Sequence, residues 1–159
     1  MAAILEQMQE RLDLLQRTRS IAIVGMSKNS SRSSHFVATY LAGSTDFDVY
    51  YVNPRETEIM GQPVYASLAD LPVVPDMVDV FRRVDDLPAV TDEAIAVGAK
   101  SVWFQLGLEH PEAAATAVAA GLDVVQNRCL KIEHARFRGG LHTAGFNTGV
   151  IDSRRARLV

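Results

Sequence analysis

Five short runs of apolar residues, rich in valine, recur along the chain, and each leads into a polar or glycine-containing segment. The runs are 21–25, 48–52, 77–81, 101–105 and 123–126. Apolar residues occupy consecutive positions in them, as in the strands of a parallel sheet that helices cover on both faces. The pattern therefore predicts five buried parallel strands.

Stretches of helical character separate most of these runs, at 34–42, 85–97 and 111–120. Pro111 suits a first helical turn, and Gly98 and Gly121 stand where helices commonly end. Before the first strand, apolar residues recur at helical spacing and predict an amphipathic lead-in helix: Ile4, Leu5, Met8, Leu12 and Leu15. The segment 54–72 differs, because its glycine and prolines allow at most a short helical turn.

Alternating strands and helices predict an α/β fold. We expect a Rossmann-like, doubly wound sheet of five parallel strands in the order 3-2-1-4-5, with helices on both faces. The length of 159 residues suits one domain. That domain is expected to span residues 1–137, lead-in helix included, and to be followed by a C-terminal extension, 138–159, to which the sequence assigns no role.

The composition excludes several functional classes. The net charge of −3 gives no general attraction to nucleic acid or to anionic membranes. No apolar run approaches the roughly 20 residues that cross a bilayer, and Glu6 and Glu10 make the start unlike a signal peptide. The single cysteine, Cys129, excludes an internal disulfide and fits a reducing compartment. We therefore expect a cytoplasmic protein.

The first strand ends at Gly25, and a loop of hydroxyl and basic residues leads from it into the next helix. In an open parallel sheet, such a turn presents backbone N–H groups at a helix N-terminus, which favours a phosphate ligand. The side chains that add hydroxyl groups and positive charge there are Ser27, Lys28, Arg32, Ser33 and Ser34. The alternative is a solvated turn in which Ser33 or Ser34 caps the helix.

These residues fit a nicotinamide dinucleotide poorly. Its turn usually has the pattern G-x-G-x-x-G, with an acidic residue at the end of the second strand for the ribose. Here Ser27 replaces the second glycine, and the second strand ends in Asn53, Pro54 and Arg55. Both departures count against NAD. NADP stays open, because Arg55 could bind the ribose phosphate that NADP carries.

Three further strands end in residues that would face the same crevice. These are Phe81 and Arg82, then Gln105, Leu106 and Gly107, and finally Asn127, Arg128 and Cys129. The four histidines are scattered, and none has the spacing of a metal ligand. The sequence therefore predicts a binding site with neither a catalytic constellation nor a metal.

Six segments, in the same order, resemble the small stand-alone CoA-binding proteins and the N-terminal CoA-binding domain of the succinyl-CoA synthetase α subunit. The segments are 21–27, 52–55, 67–72, 78–83, 98–107 and 127–131. The resemblance covers residues 19–134 and departs from the family at Ser33, where relatives commonly have proline.

This resemblance implies a role for each segment. The diphosphate of CoA would lie on the loop 25–34, with the adenosine and its phosphate beside Asn53, Pro54 and Arg55. Phe81 and Arg82 would lie along the adenine, and residues 105–107 would approach the pantetheine arm. Residues 127–129 would be adjacent to the site.

The resemblance also implies a module that binds CoA or acyl-CoA without autonomous catalysis, because the synthetases need further domains for acyl transfer. Two alternatives stay open. The first is an enzyme, either an NADP-dependent oxidoreductase or an accessory subunit of an acyl-CoA ligase. The second is a protein-interaction domain with a vestigial nucleotide site. The expected protein partner is a second copy of the chain or an acyl-CoA enzyme, and neither nucleic acid nor a membrane is expected.

Overall fold

A mostly parallel sheet of seven strands forms the centre of the molecule, seen in a computed structural model that describes residues 1–138. The strands are β1 (Ser20–Val24), β2 (Asp48–Val52), β3 (Glu58–Ile59), β4 (Gln62–Tyr65), β5 (Met77–Val80), β6 (Ser101–Phe104) and β7 (Asp123–Val125). Their order in the sheet is β3-β4-β2-β1-β5-β6-β7. Every neighbouring pair is parallel except β3 and β4. The predicted α/β, Rossmann-like class is confirmed.

One helix precedes the strands, and four helices and two short 3-10 turns connect or follow them. The helices are α1 (Met8–Arg17), α2 (Ser33–Ser44), α3 (Leu87–Val97), α4 (Pro111–Ala119) and α5 (Leu130–Arg138), and the 3-10 turns are Leu68–Asp70 and Val84–Asp86. Gly98 ends α3 in the left-handed conformation, with φ of 85°, and Pro111 begins α4, as expected. All but the first residue of the predicted C-terminal extension lies outside the described residues.

The predicted strand number and order were wrong. The third predicted strand, β5, pairs with β1 and not with β2, and β4 occupies the place beyond β2. Strands β3 and β4 form a hairpin inside the segment 54–72. Its turn residues Met60 and Gly61 both have positive φ, 51° and 72°, as a two-residue hairpin turn requires.

The hairpin was missed because β4 lacks the sequence pattern of a buried strand. Only Val64 and Tyr65 pair with β2, the strand is exposed or half-buried throughout, and Pro63 has no amide hydrogen to donate. The rest of the segment matches expectation, since its single helical turn is Leu68–Asp70.

Alternation along the strands divides the core into two layers. On one face, Ile21, Ile23, Met77 and Trp103 pack with side chains of α1, α2 and α5. On the other face, residues such as Val78 and Phe104 pack with α3 and α4. Both faces are therefore covered, which explains why the strands carry apolar residues at consecutive positions.

The N-terminal residues extend the sheet before the lead-in helix begins. The Leu5 amide donates to the Val124 carbonyl at 2.7 Å, and the Val124 amide donates to the Ala3 carbonyl at 3.0 Å. The predicted lead-in helix therefore exists, but it starts at Met8 and not at Ile4.

Helix α5, which the sequence pattern did not indicate, is attached to α1 and α2 by buried polar contacts. Arg11 Nε lies 3.0 Å from Glu133 Oε2, and both side chains are buried. The Tyr40 hydroxyl lies 2.8 Å from His134 Nδ1. Burial, with a smaller contribution from the charge of Arg138, lowers the pKa of His134 to about 4.

His134 is expected to make the protein less stable in mild acid. The folded state favours the neutral imidazole, whereas the unfolded chain binds a proton near pH 6.5. The contribution of His134 to the free energy of unfolding is therefore fully present above pH 6.5. It falls by about 2–3 kcal/mol as the pH drops toward 4. The buried carboxyl of Asp79 changes the stability in the opposite direction over this range, so the test compares variants with the wild type. Between pH 7 and pH 4.5, urea unfolding should show a change for His134→Gln that is more favourable than the wild-type change by about 2–3 kcal/mol, whereas the control His35→Gln should change as the wild type does. The same change in all three proteins would show that His134 does not contribute.

Candidate functional site

The carboxyl ends of the five predicted strands meet at one edge of the sheet, because the strands are parallel and adjacent. This edge presents the segments that follow β1, β2, β5, β6 and β7. Contacts join these segments pairwise along the edge, and every predicted site residue lies in one of them or at the start of α2.

Gly25 brings the first segment against the third. Its φ is +84°, and a β-carbon added to it would lie 2.1 Å from the Phe81 carbonyl oxygen. The flanking backbone is held on both sides: the Gly25 amide donates to the Val52 carbonyl at 2.9 Å, and the Phe81 amide donates to the Val24 carbonyl at 2.8 Å. Only glycine fits this position, which requires both a positive φ and the absence of a side chain.

The loop from Gly25 to α2 is folded by its own hydroxyl and amide groups. The Ser34 hydroxyl accepts from the Ser27 amide at 3.0 Å, and the Ser27 hydroxyl accepts from the Asn29 amide at 3.1 Å. Asn29 Oδ1 in turn accepts from both the amide and the hydroxyl of Ser31. The N-cap residue of α2 is Arg32, whose side chain makes no capping hydrogen bond. The alternative of a serine cap is therefore wrong, and the first turn of α2 has amides that no side chain caps.

Asn53 joins the second segment to the first. Its Nδ2 donates to the Met26 carbonyl at 2.7 Å, and its Oδ1 accepts from the Arg55 amide at 2.8 Å. Nearby, Lys28 Nζ lies 3.6 Å from Glu56 Oε1, so an acid of the second segment offsets one charge of the loop. An asparagine is suited to this place because it both donates and accepts.

Positive charge remains available at this edge. The side chains of Arg32, Arg55 and Arg128 are exposed, and none of them has a carboxylate partner within residues 1–138. Arg82 differs, because its Nε lies 3.5 Å from Asp86 Oδ2 in a half-exposed pair. The edge therefore carries an excess of cations suited to an anionic ligand.

The fourth segment is connected to strand β5 and to the fifth segment. Gln105 Nε2 donates to Asp79 Oδ1 at 2.5 Å, and the Gly107 amide donates to Asn127 Oδ1 at 2.7 Å. Gly107 and Asn127 both have positive φ, 87° and 53°. Trp103 Nε1 donates to the Arg128 carbonyl at 2.8 Å, which leaves Cys129 half-buried beside the core. Leu106 is 68% exposed and contributes an apolar surface.

Three residues at this edge did not stand out in the sequence as site residues: Met26, Glu56 and Asp79. Met26 is completely buried and contributes its carbonyl to Asn53, which no side-chain pattern reveals. Glu56 lies in a polar loop without any distinguishing spacing. Asp79 did carry a signal, because it is an acid inside an otherwise apolar strand.

A separate cleft of about 450 Å³ lies at the opposite edge of the sheet. Its lining includes Met1, Glu10, Asp13, Arg17, Lys100 and Asp123. None of the predicted site residues lines it, and its mixed acids and bases do not form a patch of one charge. In the part of the chain that the structure describes, no group of three or more His, Cys, Asp or Glu side chains could hold a metal ion, and no helix is long and apolar enough to cross a membrane.

Replacing Gly25 is expected to destabilise the protein more than replacing a glycine of similar φ in open space. Gly25→Ala adds a β-carbon against the Phe81 carbonyl, whereas Gly121→Ala, at φ +93°, meets nothing within 4 Å. Gly121→Ala should cost about 1–2 kcal/mol of unfolding free energy from backbone strain. Gly25→Ala should cost at least about 1–3 kcal/mol more. Denaturant unfolding of both variants measures this, and equal losses would contradict the close approach.

Known proteins share both the sequence and the fold of this chain. Residues 19–135 match the family model described as a CoA binding domain. The uncharacterized protein YneT of Bacillus subtilis (strain 168) is 34% identical over 123 residues, 77% of this chain and 90% of YneT. A hypothetical protein from Pyrococcus horikoshii OT3 is 37% identical with a TM-score of 0.78, over 82% of this chain and 91% of that one.

A larger enzyme contains a similar region. The apo form of the dinucleotide-forming acetyl-coenzyme A synthetase 1 of Ca. Korarchaeum cryptofilum is similar over 73% of this chain and 28% of that one, with 25% identity and a TM-score of 0.65. The family match covers most of this chain. The chain belongs to the CoA-binding domain family.

Proposed function

We propose that the chain binds coenzyme A or an acyl-CoA at the carboxyl edge of its sheet, as a binding module without catalysis of its own. The observation that carries this proposal is the uncapped first turn of α2, which Gly25 and the serine loop hold over the end of β1. A helix N-terminus of this kind favours a phosphate by its free amides and its dipole. We take residues 1–137 as the binding domain.

The diphosphate is proposed to lie on the loop 25–34. The amides of Ser33 and Ser34 would donate to its oxygens, and Lys28 and Arg32 would supply charge. Charge-assisted hydrogen bonds of this kind are stronger than neutral ones. The internal hydrogen bonds of the loop, such as the one from the Ser27 amide to Ser34 Oγ, fix its shape before the ligand arrives and so reduce the entropy lost on binding.

The two ends of the coenzyme are assigned to different segments. Arg55, exposed and without a carboxylate partner in residues 1–138, is suited to the ribose phosphate of the adenosine. Phe81 and Arg82 would border the adenine, with Asn53 and Pro54 on its other side. Gln105, Leu106 and Gly107 would approach the pantetheine arm, and Asn127, Arg128 and Cys129 would lie adjacent to the site.

A second candidate is an accessory subunit of an acyl-CoA ligase. The likeness to a region of an acetyl-coenzyme A synthetase favours it, since this chain covers 28% of that enzyme. In this role the module would deliver its ligand to an acyl-CoA enzyme, or would work as a second copy of itself. An NADP-dependent oxidoreductase has less support, because the loop lacks the second and third glycines of the dinucleotide pattern.

Arg55→Ala is expected to weaken the binding of CoA much more than the binding of dephospho-CoA, which lacks the ribose phosphate. Loss of one charge-assisted contact costs roughly 1.5–3 kcal/mol, or about 10- to 160-fold in Kd. Isothermal titration of the ligand-free protein with CoA, dephospho-CoA, NADP and NAD measures these affinities. The wild type should bind CoA in preference to both dinucleotides.

The matched control is Arg19→Ala. It removes the same charge from an exposed arginine just before β1, at the opposite edge of the sheet, and should leave both affinities within about twofold of wild type. If Arg55→Ala lost the same affinity for CoA as for dephospho-CoA, Arg55 would not contact the ribose phosphate. Absence of CoA binding by the wild type would overturn the proposed function.

A further inference from the structure

Asp79 places a carboxyl group in the centre of the sheet. It is completely buried in β5, whose other residues are apolar. One oxygen, Oδ1, accepts from Gln105 Nε2 at 2.5 Å. The other, Oδ2, has no hydrogen-bond partner among the described residues. A buried polar atom without a partner is costly, so its presence calls for a reason beyond packing.

The surroundings of Asp79 offer no compensating charge. Its neighbours across the sheet are Ile23 on β1 and Trp103 on β6. By alternation it belongs to the face covered by α1, α2 and α5. The buried charged or titratable side chains of those helices are paired with one another: Arg11 with Glu133, and His134 with Tyr40.

Among the other titratable groups on or next to those helices, His35 on α2 and Cys129 just before α5 are half-buried, and Lys131 on α5 lies over the Tyr40 ring. Burial, opposed only by the Gln105 hydrogen bond, raises the pKa of Asp79 to about 8. The carboxyl is therefore neutral in the folded protein at neutral pH, because no cation lies close enough to stabilise its charged form.

Asp79 is connected to three of the segments that form the candidate site. Gln105, its partner, immediately precedes Leu106 and Gly107. Ile23, its neighbour on β1, lies two residues before Gly25, and Trp103, its neighbour on β6, holds the Arg128 carbonyl. A change at Asp79 would therefore reach the segments after β1, β6 and β7 through direct contacts.

We propose that Asp79 is a positioning residue of the coenzyme site: its neutral carboxyl fixes Gln105 beneath the pantetheine arm, and the site binds its ligand well only while that proton is kept. This inference rests on the proposed function. An ionised Asp79 would need water or a new donor at Oδ2, and either requires Gln105 or the covering helices to move. A negative charge below the site would also repel an anionic ligand.

Binding should therefore be linked to one proton. At pH 9, the charged form of the free protein would predominate, and binding CoA would take up a proton at Asp79. The Kd for CoA in wild type, divided by that in Asp79→Asn at the same pH, should rise up to about tenfold per pH unit above the pKa of Asp79. The thiol and phosphates of CoA titrate alike with both proteins and cancel in this ratio.

The experiment is isothermal titration of CoA into wild type, Asp79→Asn and Asp85→Asn between pH 6.5 and 9.5. Asparagine keeps the shape of the neutral acid, accepts from Gln105 and cannot ionise. Asp85 is an exposed acid after the same strand, so Asp85→Asn should follow the wild-type profile. A wild-type profile identical to that of Asp79→Asn overturns the inference and leaves the proposed function intact, whereas no CoA binding by any of the proteins at any pH overturns both.

A second measurement uses only the wild type, in case Asp79→Asn fails to fold. The carboxyl carbon of Asp79, followed by 13C NMR, should titrate far above the range of ordinary aspartates, and its midpoint should move to higher pH when CoA is bound. A midpoint that CoA does not move overturns the inference. A midpoint near pH 4 also overturns it, because the carboxyl would then be ionised at neutral pH.

Discussion

The backbone of Gly25 passes so close to the carbonyl of Phe81 that a single added carbon would lie 2.1 Å from its oxygen. This approach lets the chain turn sharply out of β1, between the ends of β2 and β5, and enter α2 without a capping side chain. The loop amides and the start of α2 take their positions from that turn. A larger residue at Gly25 would separate the β1 and β5 segments and move the N-terminal end of α2 away from the strand ends.

The sequence was sufficient to predict the parts of the fold that follow from burial. The five central strands have consecutive apolar residues because both faces are covered, and the helices between them have ordinary start and stop signals at Pro111 and Gly98. Order was harder to predict, because strand sequences do not encode their neighbours. The strand beside β2 is β4, which is too short and exposed to have a pattern, and the turn residues Met60 and Gly61 gave the hairpin its only local cue.

The candidate site was predictable as a set of strand ends and less so as a set of contacts. Parallel topology alone brings Asn53, Phe81, Gln105 and Asn127 to one edge. Identifying the strands was therefore enough to identify these residues at their ends. The contacts are longer in range. Asn53 holds a backbone carbonyl 27 positions earlier, and Gln105 holds a carboxyl 26 positions earlier. Such pairs depend on register and side-chain direction, which a single sequence does not state.

The most direct test of the site is an amide chemical-shift titration, in which CoA is added to 15N-labelled, ligand-free protein. If the diphosphate lies on the loop after β1, the largest shifts should occur at Ser27, Ser33 and Ser34, with further shifts at Arg55 and Gly107 and almost none around Lys100. Shifts concentrated instead on the polar cleft at the opposite edge of the sheet, or absent at millimolar CoA, would contradict the placement of the ligand on the Gly25 turn.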